Sequence, residues 1–140
     1  MSTTSQEEFL ALGRTSPVTP VVRTLFADSE TPMGLYRKLS GGPGSFLLES
    51  ADQAGKWSRY SFIGVACHGL LTSQDDSAYW DSMGMSAEDA FGGDIPTATL
   101  DALDALDTRW RTDSIPGLPP FIGGLVGYVA WDAIRELESL

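Results

Sequence analysis

The sequence predicts an α+β fold of antiparallel sheets flanked by helices. Three observations lead there. Helix-capping signatures precede short amphipathic runs, strand-like runs are separated by short polar turns, and 42% apolar residues with 10% aromatics can build a core in a domain-sized chain of 140 residues.

Along the chain, Ser5-Gln6-Glu7-Glu8 is a capping box, in which the Ser5 hydroxyl and the Glu8 carboxylate satisfy orphan backbone N–H groups. With Gly13 as its stop, it predicts a helix over 6–12. Pro17 and Pro20 enforce extended backbone, and the apolar, β-branched run over 21–26 predicts a strand. Thr31-Pro32 pairs an N-cap with a proline at the first helical position, opening a helix that ends near Ser40, before the turn Gly41-Gly42-Pro43-Gly44. Its apolar stripe is Met33, Tyr36 and Leu39, or Leu35 and Leu39. Strand-like runs over 45–49, 58–65 and 69–72, with polar turns over 51–55 and 66–68, predict an antiparallel meander. Residues 74–97 lack sustained period apart from Ala78-Tyr79-Trp80, and read as a loop with a short strand or turn of helix. From Thr99, Leu100, Leu103, Leu106 and Trp110 recur near the helical period with Asp101, Asp104 and Asp107 on another face, predicting an amphipathic helix that ends by Asp113. Pro116, Pro119 and Pro120 make a stiff connector, residues 121–129 read as a glycine-bearing strand, and 131–140 as the start of a helix.

The nineteen acidic and nine basic residues give a formal charge of -10, whose field repels phosphate backbones and anionic membranes, so no nucleic-acid partner is expected. The longest nearly apolar run, 121–131, is far short of the ~20 residues that cross a bilayer, and no membrane association is expected. A single cysteine, Cys67, makes no internal disulfide and suits a reducing compartment, here the cytoplasm.

Most chemically capable groups have a plain structural reading. Cys67 and His68 are adjacent at a strand end, where neighbouring side chains point to opposite faces, so they are poorly placed as nucleophile and base. Asp101, Asp104 and Asp107 lack the loop and glycine of an oxygen cage and read as a solvated helix face. Gly123, Gly124 and Gly127 match no phosphate-binding spacing. One segment differs. Phe46-Leu47-Leu48-Glu49-Ser50 delivers a carboxylate and a hydroxyl to a strand end, and Lys56-Trp57 return after the turn. An amino-acid ligand needs an acceptor for its ammonium, donors for its carboxylate and an apolar wall, and these groups supply all three.

Here the match to a known family becomes close. LLESADQAGKWSRYSFIG, from Leu47 onward, resembles the N-terminal hallmark of the large subunit of anthranilate synthase, component I, of the actinobacterial kind. SPVTPVVRTLFADSETPMGLYRKL resembles the family's opening strand and helix. Downstream, Gly123-Gly124-Leu125-Val126-Gly127-Tyr128 matches its G-G-x-x-G-Y strand, and Trp131-Asp132 stands where the family has Tyr-Asp. The resemblance covers nearly all of residues 1–140 and is weakest between Asp75 and Thr97. It implies the fold of the chorismate-utilising enzymes, two packed antiparallel sheets flanked by helices and assembled from both halves of a longer chain. It also implies their activity, which with magnesium converts chorismate and glutamine-derived ammonia into anthranilate and pyruvate at the head of tryptophan synthesis. The implied partners are a glutamine amidotransferase subunit and a C-terminal catalytic region that holds the chorismate and magnesium residues, none of which falls within 1–140. By this reading the 140-residue chain is truncated before the catalytic region and alone inactive. The same resemblance assigns Leu48, Glu49 and Ser50, with Lys56 as a weaker neighbour, to the site where L-tryptophan acts as feedback inhibitor. The alternatives are an aminodeoxychorismate or salicylate synthase fragment, against which the intact 46–64 block argues, and a non-enzymatic module that binds tryptophan or a partner.

Overall fold

The computed structural model describes residues 4–16, 18–49, 60–112 and 114–137. The chain divides into two units, Met1–Cys67 with Asp113–Ile122, and His68–Thr112 with Gly123–Leu140. The fold is α+β with antiparallel pairing, as the sequence predicts.

In the first unit, α1 spans Gln6–Leu12 behind a complete capping box: the Ser5 N–H donates to Glu8 Oε2 at 2.7 Å and the Glu8 N–H to Ser5 Oγ at 3.2 Å. Helix α2, Pro32–Leu39, starts at the N-cap Thr31, whose Oγ1 accepts from the Gly34 N–H at 3.1 Å. Leu35 and Tyr36 are half-buried, whereas Met33 and Leu39 are exposed, so neither expected stripe packs as a whole. Strand β1, Phe46–Glu49, pairs antiparallel with β2, Ser61–Gly64. The expected strand over 21–26 is not formed. Arg23 makes only an isolated bridge, while Val21 and Phe26 are 71% and 79% exposed. An extended run becomes a strand only when a neighbour completes its hydrogen-bond ladder. Thr4 gives this run its local anchor, donating its N–H to Val22 O and accepting the Val22 N–H on Oγ1, both at 2.9 Å.

In the second unit, β3, Gly69–Gln74, pairs with β4, Ser77–Ser82, in a hairpin. The expected three-stranded meander is thus replaced by two separate pairs, and the run read mostly as loop over 74–97 supplies β4 and a helix. The turn explains the difference. Asp75 and Asp76 both hold positive φ, 49° and 57°, the conformation of a type I′ turn, which aspartate tolerates without announcing it as an Asn-Gly pair would. Gly69 lies under the Trp80 indole, where any Cβ would overlap the ring. The other side of the packing comes from α3, Ala87–Phe91, whose Phe91 meets Trp80 edge to face at 5.6 Å. Helix α4, Thr99–Trp110, lies where the leucine period predicts and buries Ala102 and Leu106 one turn apart; with Ala90 they are the fully buried apolar residues among those described. Its end closes on α3: Trp110 Nε1 donates to Ala90 O at 2.8 Å and Arg109 Nε to Asp89 O at 3.2 Å, satisfying carbonyls of the last turn of α3. At the other end, the N-cap Ala98 has no side-chain acceptor, and Glu136 Oε2 accepts the Leu100 N–H at 2.9 Å instead.

The expected strand over 121–129 is likewise absent: none of these residues joins a ladder, and Tyr128 and Val129 are 92% and 61% exposed. The following helix is real but short, a 3-10 turn at Trp131–Ala133 leading into α5, Ile134–Leu137; the expected residues 138–140 lie outside the described ones. No helix among the described residues is long and apolar enough to cross a membrane.

Two outcomes follow. Leu106→Ala, which opens a cavity at the most enclosed leucine, lowers stability by about 2–5 kcal/mol in chemical denaturation, while an exposed change such as Leu39→Ala costs far less. The Ser5 backbone N–H, and after it the Ser5 hydroxyl, hold the Glu8 carboxyl below its ordinary value of 4.5. Because the folded value is the lower one, the capping box contributes stability above the unfolded value and loses it as pH falls through the folded one. Acid titration by NMR therefore shows the Ser5 and Glu8 amide signals moving together below the ordinary carboxylate range, and Ser5→Ala returns the Glu8 midpoint toward 4.5.

Candidate functional site

The register of the β1–β2 pair places the polar end of the LLES segment. Phe46 faces Gly64, Leu47 faces Ile63, Leu48 faces Phe62, and Glu49 faces Ser61. Directly opposed residues share a face, so Phe46, Leu48 and Phe62 lie on one side of the sheet and Leu47, Ile63, Glu49 and Ser61 on the other. The Phe46 ring covers Gly64, at which a Cβ would overlap it, so glycine is what lets the ring lie flat at this end.

On the Leu48 face an aromatic cluster continues the apolar surface. The Phe62 ring meets Phe121 edge to face at 5.4 Å and Tyr60 at 6.1 Å. Leu48 itself is 45% exposed beside it, an apolar surface open to a ligand. On the other face, the Glu49 carboxylate is exposed, and no described residue pairs with it or hydrogen-bonds to it. Leu48 and Glu49 are thus brought to one strand end but on opposite faces, an apolar contact on one side and an anionic acceptor on the other. Ser50 and Lys56 lie outside the described residues. The aromatics Tyr60, Phe62 and Phe121 escaped the sequence reading as site candidates. The alternation of Tyr60 and Phe62 is the signal for the first two; Phe121, distant in sequence, offers none.

Cys67 Sγ lies 3.7 Å from Pro43 O and is half-buried, and His68 is exposed with its carbonyl accepting the Met83 and Met85 N–H groups. Among the described residues no group of three His, Cys, Asp or Glu side chains is placed to hold a metal ion, Asp101, Asp104 and Asp107 included.

The class so defined is an α+β chain of short antiparallel pairs, one of which ends in a polar strand terminus. No protein-family model matches it. Curated relatives are more specific. The chain is 48% identical over 139 residues to anthranilate synthase component 1 of Mycolicibacterium smegmatis, which covers 99% of this chain and 26% of that protein. It is 46% identical over 135 residues to the Arthrobacter globiformis protein of the same name, covering 96% and 24%. The Pseudomonas aeruginosa protein of that name is 37% identical over 136 residues, covering 96% and 27%. The chain is therefore a homologue of part of anthranilate synthase component 1, actinobacterial forms included, and spans about a quarter of the length of these relatives.

The packing of Phe46 on Gly64 has a testable consequence. Gly64→Val forces the ring off the sheet and costs about 1–3 kcal/mol, read as a lower thermal midpoint by circular dichroism, whereas Gly41→Ala, with open space around it, leaves the midpoint unchanged.

Proposed function

We propose that this chain is the tryptophan-sensing, N-terminal portion of an anthranilate synthase large subunit, a lyase acting at the head of tryptophan synthesis in the cytoplasm. In this reading the complete enzyme converts chorismate and ammonia into anthranilate and pyruvate, with magnesium, in a C-terminal region outside residues 1–140. A glutamine amidotransferase subunit supplies the ammonia. The near-complete coverage by relatives of that name supports the assignment. The observation that carries the sensing role is the end of β1, where Leu48 offers an exposed apolar surface and Glu49 an unpaired carboxylate among the described residues.

L-tryptophan would straddle the free end of β1, its indole on the Leu48 side and its ammonium reaching round to the Glu49 carboxylate on the other. Ser50 and Lys56 complete the site by resemblance, as hydroxyl and cationic partners for the ligand carboxylate. Among the described residues no group of three His, Cys, Asp or Glu side chains is placed to hold magnesium. Because an effector and a substrate that oppose one another do so reciprocally, tryptophan weakens chorismate binding by the same factor that chorismate weakens tryptophan binding.

The test uses a complete large subunit carrying this segment. Glu49→Ala and Ser50→Phe each raise the tryptophan concentration needed for half-inhibition by about ten- to a hundredfold, the loss of one charge-assisted contact at ~1.5–3 kcal/mol, with the uninhibited rate largely kept. Parallel loss of rate and inhibition would assign these residues a structural role and overturn the reading.

A further inference from the structure

On the Leu48 face of the β1–β2 pair, one aromatic ring comes from outside the sheet. Leu48 stands directly opposite Phe62, and opposed residues on one face keep their side chains within contact. The Phe62 ring meets Phe121 at 5.4 Å with the ring planes at 89°. Such a pair sets the positive rim of one ring on the negative face of the other, so turning either ring gives up the contact. Phe121 sits on a segment built to hold it. The Leu118 N–H donates to Ile115 O at 3.1 Å across a turn in which Gly117 has a φ of 86°, a conformation that favours glycine. Pro119 and Pro120 then fix the backbone that leads to Phe121. This segment, Asp113–Ile122, belongs to the same unit as the β1–β2 pair, and both rings are half-buried.

We propose that Phe121 is a positioning residue of the tryptophan site, holding the Phe62 ring in the orientation in which Phe62 and Leu48 present one apolar surface to the indole. The proposal rests on the reading of the β1 end as that site, and adds to it a residue that lies far from the LLES segment in sequence. Phe121 acts through Phe62 and does not itself touch the ligand. A ring free to turn beside Leu48 would have to be ordered when the indole arrives, at a cost in side-chain entropy, whereas a ring already pinned edge to face carries that cost in the folded protein. The contribution goes to the effector and not to the reaction, so it appears in inhibition and leaves the uninhibited rate as it is.

The test uses a complete large subunit carrying this segment, with inhibition by L-tryptophan read beside the uninhibited kcat and the chorismate KM. Phe121→Leu, which keeps apolar bulk but removes the ring, raises the tryptophan concentration for half-inhibition by about three- to tenfold with kcat and KM kept. Phe121→Tyr, which keeps the ring, stays within about twofold of the parent. Phe62→Leu weakens inhibition at least as much as Phe121→Leu, and the two together weaken it no further than Phe62→Leu alone, because one acts through the other. Where Phe121→Leu does not fold, Phe121→Met, with its adaptable apolar chain, is read by the same criteria. Unchanged inhibition in Phe121→Leu while Glu49→Ala weakens it would overturn the proposal and leave the tryptophan reading standing; no change in either variant would overturn both. Equal loss of rate and inhibition, a loss in Phe121→Tyr as large as in Phe121→Leu, or additive losses in the double variant would point to plain packing or direct ligand contact, and would overturn the proposal as well.

Discussion

The pairing register of β1 with β2 is the constraint on which the site depends. A strand alternates its side chains between two faces, so a slip of one residue would exchange the sides of Leu48 and Glu49 and carry Phe46 off Gly64. The Phe46 ring lies where a Cβ at position 64 would be, so the observed register is the one that sets this ring over a glycine. With Phe46 held at one end, four residues of β1 suffice to bring a carboxylate to the other. The aromatic contact of Phe62 with Phe121 ties the same sheet to a segment more than fifty residues away in sequence, without a further strand.

Local signals in the sequence are legible where they act locally. The capping box at Ser5 and Glu8, the Thr31-Pro32 start and the leucine period of α4 each need only near neighbours, and each appears where it was read. Strands are less legible because half of a strand is its partner. The runs over 21–26 and 121–129 have strand composition, yet neither meets an edge that completes its ladder among the described residues. Strand β4 went the other way: its hairpin rests on two consecutive aspartates in the left-handed region, a turn whose residue types are ordinary on a polar surface. Of the candidate site, Leu48 and Glu49 were legible as a strand meeting a turn, while the aromatic surface beside them is made by tertiary proximity that sequence spacing does not reveal.

Burial and charge are divided unevenly. Ala90, Ala102 and Leu106, the fully buried apolar residues among those described, all belong to the unit that contains α4, which also holds most of the acidic surplus. Meanwhile Val21, Phe26, Tyr128 and Trp131 leave most of their surface in water, an apolar exposure that costs free energy unless another surface covers it. The relatives are about four times longer than the region matched, so their polypeptides hold ample further surface of their own.

The most direct test of the account is a crystal structure of a complete large subunit carrying this segment, grown with L-tryptophan. The account predicts ligand density at the end of β1, with the indole in contact with Leu48 and the ammonium within hydrogen-bond distance of the Glu49 carboxylate. Tryptophan bound elsewhere, with the end of β1 empty at saturating ligand, would contradict it.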